Sequence, residues 1–225
     1  MLKLIMAVCM VFTASVVFAE DKLELKTQKD KLSYAIGVDM GNSFKKNFNK
    51  SEFDIDPDIM VRGMKDVQAG STPLMTDQEV RETIMAWQKD IQAKRAEKNK
   101  KDGEAFLAGN KKKKDVKVLP SGLQYKVITA GKGKTPKATD TVTVNYQGTL
   151  IDGTEFDSSY KRGQPATFPV NGVIKGWTEA LQLMKEGSKW QLVIPADLAY
   201  GERGGGPIGP NAVLIFEIEL LSVKQ

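Results

Sequence analysis

The spacing of large apolar residues changes once along this chain of 225 residues, and that change limits the folds available to it. Up to Ile91 these residues recur every three or four positions, which predicts amphipathic helices. From about Leu119 they alternate with polar residues, as in Val142-Thr143-Val144, which predicts half-buried antiparallel strands. Between the two parts, Gln92 to Ala105 contains no large apolar residue. A helical front, a polar connection and a strand-rich back make the chain α+β.

The first residues have the pattern of an export signal. Residues 1–19 have one positive charge near the start, Lys3, continue apolar and close with Val17-Phe18-Ala19 before Glu20, which places small residues at positions −3 and −1. This order is typical of a secretory signal peptide, here cleaved after Ala19. A retained membrane anchor is the alternative, but the apolar run is short for a membrane span. A lipoprotein cleaved at Cys9 is disfavoured, because almost no apolar segment would precede that residue.

The composition excludes several kinds of chemistry. The sequence has no histidine, and its one cysteine would leave with the signal peptide. Nucleophiles activated by histidine, His-bearing zinc sites and thiolate metal sites are therefore excluded, and we expect no metal and no cofactor. The net charge is +5, but the basic run Lys111–Lys114 lacks stacking aromatic residues, so nucleic-acid binding is not expected. We interpret this run as a solvated helix end, with weak attraction to anionic surfaces as the alternative.

Four helices are predicted. The first covers Asp30–Phe48, and the second begins at Asp56-Pro57, where the aspartate is an N-cap and the proline takes the first helical position. The third begins at the capping box Thr76–Glu79 and continues, on its helix-forming composition, to about Lys114. The fourth is short and covers Trp177–Met184, within the strand-rich part.

These elements predict three parts in the mature chain. Residues 20–75 form an all-helical domain, residues 76–117 a long connecting helix, and residues 118–225 the domain that carries the chemistry. The front helices contain more apolar material than they can hide, so we expect a homodimer through residues 20–75. Packing onto the C-terminal domain of the same chain is the alternative, and a polar, solvated connecting helix argues against it. Gly103 and Gly109 are the positions where that helix could kink.

Five ordered blocks of residues in the back half carry a family resemblance. They are Val144–Leu150, Asp152–Ser159, Val173–Trp177, Ala199–Gly201 and Leu214–Leu220. Together they resemble the signature of the FKBP-type peptidyl-prolyl cis–trans isomerases. The front resembles the macrophage infectivity potentiator (Mip) and FkpA branch of that family, on the residues Asp30–Gly37 and Leu119–Tyr125. The resemblance implies an N-terminal dimerisation domain, a long connecting helix and an FKBP-like curved antiparallel sheet with one short helix.

The resemblance also implies a site. Tyr200 would donate a hydrogen bond to a substrate carbonyl, and Asp157 would interact with the twisted carbonyl or hold the polar wall, together with Arg162. Ile208 would lie in a mobile flap that follows Tyr200. Trp177 would lie beneath the proline ring, in a pocket lined by Tyr146, Phe156, Val173, Ile174, Trp177 and Phe216.

Such a pocket suits the implied reaction. Rotation about an X–Pro bond has a barrier of about 18–20 kcal/mol because resonance stiffens the C–N bond. A dry aromatic site that favours the twisted amide lowers this barrier without a nucleophile, metal or cofactor. The resemblance therefore implies an isomerase of the Gram-negative periplasm, free or associated with the outer membrane. Its partners would be unfolded or proline-containing exported proteins, and macrolides of the rapamycin class would be inhibitors. The alternatives are a holdase chaperone or a surface-binding protein with a vestigial pocket.

Overall fold

The computed structural model describes residues 24–47 and 55–224. The predicted signal peptide, residues 1–19, lies outside the described residues, as does Phe48 at the predicted end of the first helix. The chain divides into two compact units, with the boundary in the sequence between Ser71 and Thr72. Within the described residues, no helix is both long enough and apolar enough to cross a membrane.

The first unit contains the helices α1, Gln28–Asn47, and α2, Pro57–Gln68. The predicted cap of α2 is confirmed, because Oδ1 of Asp56 accepts the backbone N–H of Asp58 at 2.8 Å. No residue of α2 is buried, and many apolar side chains of both helices are exposed in this single chain. Their helical spacing therefore gives apolar faces that the described residues do not cover.

The second unit begins with the helix α3, Asp77–Asn110. Its capping box is confirmed: the N–H of Thr76 donates to Glu79 at 2.7 Å, and the N–H of Glu79 donates back to the Thr76 hydroxyl at 3.3 Å. The helix ends four residues before the predicted Lys114, and it is uninterrupted at Gly103 and Gly109. At 1.5 Å per residue it is roughly 51 Å long.

The expectation that Gln92–Ala105 is solvated is wrong for one face of α3. Gly103 on that face is buried, and so is Asn110 further along it. Asn110 donates a side-chain hydrogen bond to Gln124 at 2.9 Å, and Gln124 donates to the backbone carbonyl of Leu107 at 3.0 Å. The face that packs consists mainly of small and amide-bearing residues, so the hydrophobic period does not reveal it.

Seven antiparallel strands and a short helix complete the second unit. The strands are β1 Val116–Val118, β2 Gln124–Thr129, β3 Thr141–Leu150, β4 Glu155–Ser158, β5 Ala166–Pro169, β6 Lys189–Ile194 and β7 Leu214–Lys224. The sheet has the order β1-β2-β6-β7-β3-β4, and β5 pairs with β3 beside this path. The helix α4, Lys175–Leu181, lies in the chain between β5 and β6.

The core lies where α4 meets the sheet. Alternate residues of β3 are fully buried at Val142 and Val144, as the period of two predicts. Three residues of α4 (Trp177, Ala180 and Leu181) join the same buried cluster. The predicted α+β fold, an antiparallel sheet with one short helix preceded by helices, is confirmed, although α4 begins two residues earlier and ends three residues earlier than predicted.

Candidate active site

A cavity of about 490 Å³ opens beside α4. Seven of the ten predicted site residues line it: Tyr146, Asp157, Val173, Ile174, Trp177, Tyr200 and Phe216. The other three (Phe156, Arg162 and Ile208) lie outside its lining. The structure adds three residues that the sequence did not indicate, namely Phe168, Gly172 and Ala199.

Trp177 is the centre of an aromatic box. It is only 4% exposed, and three rings meet it edge to face. The ring centroids lie 5.1 Å away for Tyr146, 6.0 Å for Phe168 and 5.2 Å for Phe216, at interplanar angles of 88°, 90° and 84°. Edge-to-face pairs are stabilised by the quadrupoles of the rings, which fixes the orientation of each. The cavity therefore has apolar walls of defined shape.

Phe156 extends this cluster of rings through Phe216. Its ring packs edge to face on Phe216, with centroids 5.4 Å apart. Both rings lie over Gly148 of β3, where a Cβ atom would come within 2.6 Å of Phe216 and 2.7 Å of Phe156. Any residue with a Cβ atom at position 148 would therefore displace at least one of the two rings, and glycine does not. Phe156, which was expected to line the cavity, contacts it through Phe216.

A closed triangle of hydrogen bonds forms the polar side of the cavity. The hydroxyl of Tyr146 donates to Oδ2 of Asp157 at 2.5 Å and accepts from Nη2 of Arg162 at 2.6 Å. Nη1 of Arg162 donates to the other carboxylate oxygen, Oδ1 of Asp157, and the guanidinium also lies 5.3 Å from the centroid of the Tyr146 ring. Arg162 thus lies outside the lining but holds two residues that belong to it.

This triangle shifts the pKa values of its members. Burial alone raises the pKa of Asp157, but the hydrogen bonds from Tyr146 and Arg162 and the guanidinium charge outweigh it, so the pKa lies below its usual value. Burial and the hydrogen bond to Asp157 raise the pKa of the Tyr146 phenol. At neutral pH the site therefore contains an ionised carboxylate, a neutral phenol and a guanidinium cation.

Tyr200 also lines the cavity. It is 44% exposed, and its hydroxyl has no hydrogen-bond partner within the described part of the chain. It follows a short 3-10 turn, Ala196–Leu198, and precedes the loop to β7. Ile208 of that loop is 5% exposed and belongs to the core cluster, so it anchors the loop. A free phenolic donor therefore borders the cavity just before a loop that packs onto the core through Ile208.

Sequence reasoning missed Phe168 for a physical reason. The strand β5 has only four residues, too few for a period of two to stand out. The signal that could have found it is the alternation of Ala166 and Phe168, which pair with the buried Val144 and Val142 and so share their face of the sheet. A second surprise is the indole N–H of Trp177, which is buried without an acceptor among residues 24–47 and 55–224. Such groups are uncommon in native cores.

The chemistry of this arrangement is limited and specific. Residues 24–47 and 55–224 contain no cluster of three or more His, Cys, Asp or Glu side chains that could hold a metal ion. The aromatic box suits a small apolar ring, and the free hydroxyl of Tyr200 suits a carbonyl oxygen next to that ring. The ionised Asp157 contributes a fixed negative charge at the wall.

Comparisons with known proteins agree with this geometry. A profile of the FKBP-type peptidyl-prolyl cis-trans isomerases matches residues 132–221, and a profile of the domain amino terminal to such isomerases matches residues 29–127. The chain is 52% identical over 233 residues to the outer membrane protein MIP of Legionella longbeachae, covering 100% of this chain and 98% of that one. It is 48% identical over 209 residues to the peptidyl-prolyl cis-trans isomerase Mip of Coxiella burnetii, covering 89% of each. The crystal structure of FkpA from Escherichia coli superimposes with a TM-score of 0.65 at 42% identity, covering 89% of this chain and 99% of that one.

Proposed function

This chain belongs to the FKBP-type peptidyl-prolyl cis–trans isomerases, and from that premise we propose how it acts and on what. It accelerates rotation about X–Pro bonds in exported proteins that are folding. The reaction takes place in the aromatic cavity, where water is removed from the prolyl carbonyl and the twisted amide is favoured. The observation that carries this proposal is the set of three rings perpendicular to Trp177, which bounds an apolar space beside a free hydroxyl donor.

The apolar walls act on the ground state. A planar imide is the more polar form because resonance places negative charge on its oxygen, and water stabilises that form. In the cavity the proline ring lies on Trp177, and the carbonyl before it loses its water. The twisted amide is less polar, so it loses less hydration free energy than the planar form when it enters the same apolar environment. The barrier falls because transition state and ground state are bound differently.

The polar residues orient the substrate. Tyr200 donates its free hydroxyl to a carbonyl of the bound peptide and fixes the peptide across the cavity mouth. Both carboxylate oxygens of Asp157 are already held, one by Tyr146 and one by Arg162, so Asp157 supplies a fixed field at the carbonyl that rotates and does not exchange protons with it. Both roles need no covalent step.

A peptide assay tests this mechanism. The mature chain should accelerate cis–trans exchange of a proline-containing peptide, and Trp177→Leu and Tyr200→Phe should each lower kcat/KM by about 10-fold, since removing one oriented contact costs about 1–2 kcal/mol. No acceleration by the unsubstituted chain would refute it. Suppression of client aggregation that survives both substitutions, without any acceleration, would instead support the holdase alternative.

We also propose that the protein is a homodimer of the Gram-negative cell envelope. The apolar residues left exposed on α1 and α2 support a second copy as the partner, with examples at Leu32, Ile36, Ile59 and Val67 that are 52–72% exposed. The name of the Legionella longbeachae relative gives the outer membrane as that protein's location, which supports export of this chain after loss of residues 1–19. Light scattering should give two copies for residues 20–225 and one copy for residues 118–225, and a monomeric longer chain would refute the dimer.

The cavity also supports binding of macrolides of the rapamycin class. These ligands present an apolar ring next to carbonyl groups, which is the chemistry that the aromatic box and Tyr200 are suited to hold. Rapamycin should compete with the proline peptide for the cavity. Inhibition that is unaffected by Trp177→Leu would place the macrolide elsewhere.

A further inference from the structure

The second half of α3 exchanges hydrogen bonds with the loop that follows Tyr200. Nδ2 of Asn99 donates to the carbonyl oxygen of Pro210 at 2.8 Å. In the other direction, Nδ2 of Asn211 donates to the carbonyl oxygen of Ala96 at 3.4 Å. Pro210 is buried, and Asn99 supplies the donor that its carbonyl accepts. The helix thus satisfies a polar group of the loop.

Two glycines permit this close approach. A Cβ atom at Gly103, one helical turn after Asn99, would lie 2.8 Å from Cγ2 of Val213. A Cβ atom at Gly209 would lie 2.9 Å from Nδ2 of Asn99. Both distances are shorter than real Cβ contacts, so each surface lacks a side chain where the other one meets it. The side-chain amide of Asn99 therefore occupies space that a side chain at position 209 would fill.

The same loop holds Tyr200 at its other end. The N–H of Asn211 donates to the carbonyl oxygen of Gly201 at 2.9 Å, which closes the base of the loop. Asn211 has a φ of 56°, a left-handed conformation that asparagine tolerates better than most residues. Gly205 packs on the ring of Tyr200, since a Cβ atom there would lie 3.1 Å from Cδ1. Two hydrogen bonds and one peptide unit separate Asn99 from the neighbour of Tyr200.

We propose that Asn99 is a positioning residue for the isomerase reaction, acting from the long helix on the loop that orients Tyr200. This inference rests on the proposed role of Tyr200 in holding the substrate carbonyl. When the amide of Asn99 is absent, the buried carbonyl of Pro210 lacks a donor, and undocked conformations of the loop become populated. Apparent affinity falls in proportion to the fraction of molecules with Tyr200 oriented, so KM rises about 3- to 10-fold while kcat changes less than about twofold.

Three variants of the full mature chain test this. Asn99→Ala removes the donor and keeps α3, because alanine is the best helix former. Asn99→Asp keeps the size but sets a carboxylate against the carbonyl of Pro210, so it should raise KM at least as much. Lys101→Ala, an exposed position on the same helix, is the matched control and should leave KM unchanged.

Two further readouts separate positioning from a loss of general stability. In a Tyr200→Phe background, Asn99→Ala should change KM by less than about twofold, because the two residues act through one contact. Amide exchange of Asn211 should become at least about tenfold faster in Asn99→Ala, since its hydrogen bond breaks when the loop opens. Neither readout depends on a bulk melting temperature.

The outcomes are distinct. An active wild type with a KM that Asn99→Ala leaves unchanged overturns this inference alone, whatever the exchange rate. Additive effects of Asn99→Ala and Tyr200→Phe also overturn it. An inactive wild type whose Asn99→Ala variant exchanges faster refutes the proposed function, while the contact between Asn99 and the loop stands.

Discussion

Gly148 gives the sharpest test of how the cavity is built. It lies in β3 beneath the rings of Phe156 and Phe216, which meet edge to face with centroids 5.4 Å apart. In Gly148→Ala the new methyl group would come within 2.6 Å of Phe216 and 2.7 Å of Phe156. Real Cβ atoms essentially never approach so closely, so at least one ring must move.

The free-energy cost of Gly148→Ala follows from how tightly this part of the core is packed. Adding one carbon atom to a filled core costs about 1–3 kcal/mol, and a disturbed edge-to-face pair adds about 0.5–1.5 kcal/mol. We expect a loss of about 2–3 kcal/mol in the free energy of unfolding of the second unit. For a unit of this size that loss lowers Tm by about 4–12 °C. Because Phe216 lines the cavity, a shift of its ring by a fraction of an ångström should lower kcat/KM by about 10- to 100-fold.

The measurement compares two glycine variants by thermal unfolding and by the proline-peptide assay. The control is Gly109→Ala in α3, where nothing lies within 4 Å of the added Cβ atom. Since alanine favours helix by about 0.5–1 kcal/mol over glycine, this control should raise Tm by about 1–4 °C and leave kcat/KM unchanged. A Gly148→Ala variant with wild-type Tm and activity would refute the reasoning, because the rings would then have free space that the structure denies them.

Four other predictions concern the walls of the cavity. Because the pKa of Asp157 lies below its usual value, the carboxylate stays ionised across the neutral range, so kcat/KM should be flat from about pH 5 to 8.5, and a bell-shaped profile would contradict this. The same depressed pKa means that the ionised carboxylate stabilises the folded state above its unfolded pKa of about 3.9, and that this stabilisation is lost as the pH falls through the pKa of the folded state. The difference in urea midpoint between wild type and Asp157→Asn should therefore disappear in acid. Arg162→Met opens the hydrogen-bond triangle and should lower kcat/KM about 3- to 10-fold, whereas Lys161→Met, which removes a surface ion pair with Glu155, should be neutral. Phe168→Leu removes one ring from Trp177 and should raise KM about 3- to 10-fold; equal tryptophan-fluorescence titrations with a proline peptide would show that the ring is dispensable.

The elements with strong local signals were predictable from the sequence. The cap at Asp56 and the capping box at Thr76 are formed by hydrogen bonds between near neighbours, so they need no tertiary information. The long strands β3 and β7 bury one face, and their period of two is visible over ten and eleven residues. These features fix the α+β fold.

The contact face of α3 could not be predicted in the same way. Asn99 and Gly103 meet the loop through an amide and a missing side chain, and neither contributes to a hydrophobic period. The same holds in the site, where Phe168 comes from a strand of four residues. Family resemblance pointed to the residues of the cavity, but whether Phe156 lines it or supports it depends on ring positions. Those positions are decided by packing across the sheet, at Gly148.

The hydrogen bonds among Tyr146, Asp157 and Arg162 affect which motions must accompany each catalytic cycle. Their dipoles are oriented when the protein folds, so no rearrangement of this wall has to accompany each turnover. A client chain with an exposed proline therefore encounters a wall whose hydrogen bonds are already oriented. The motion that remains is that of the peptide itself, which suits a catalyst whose substrates differ in everything except one ring.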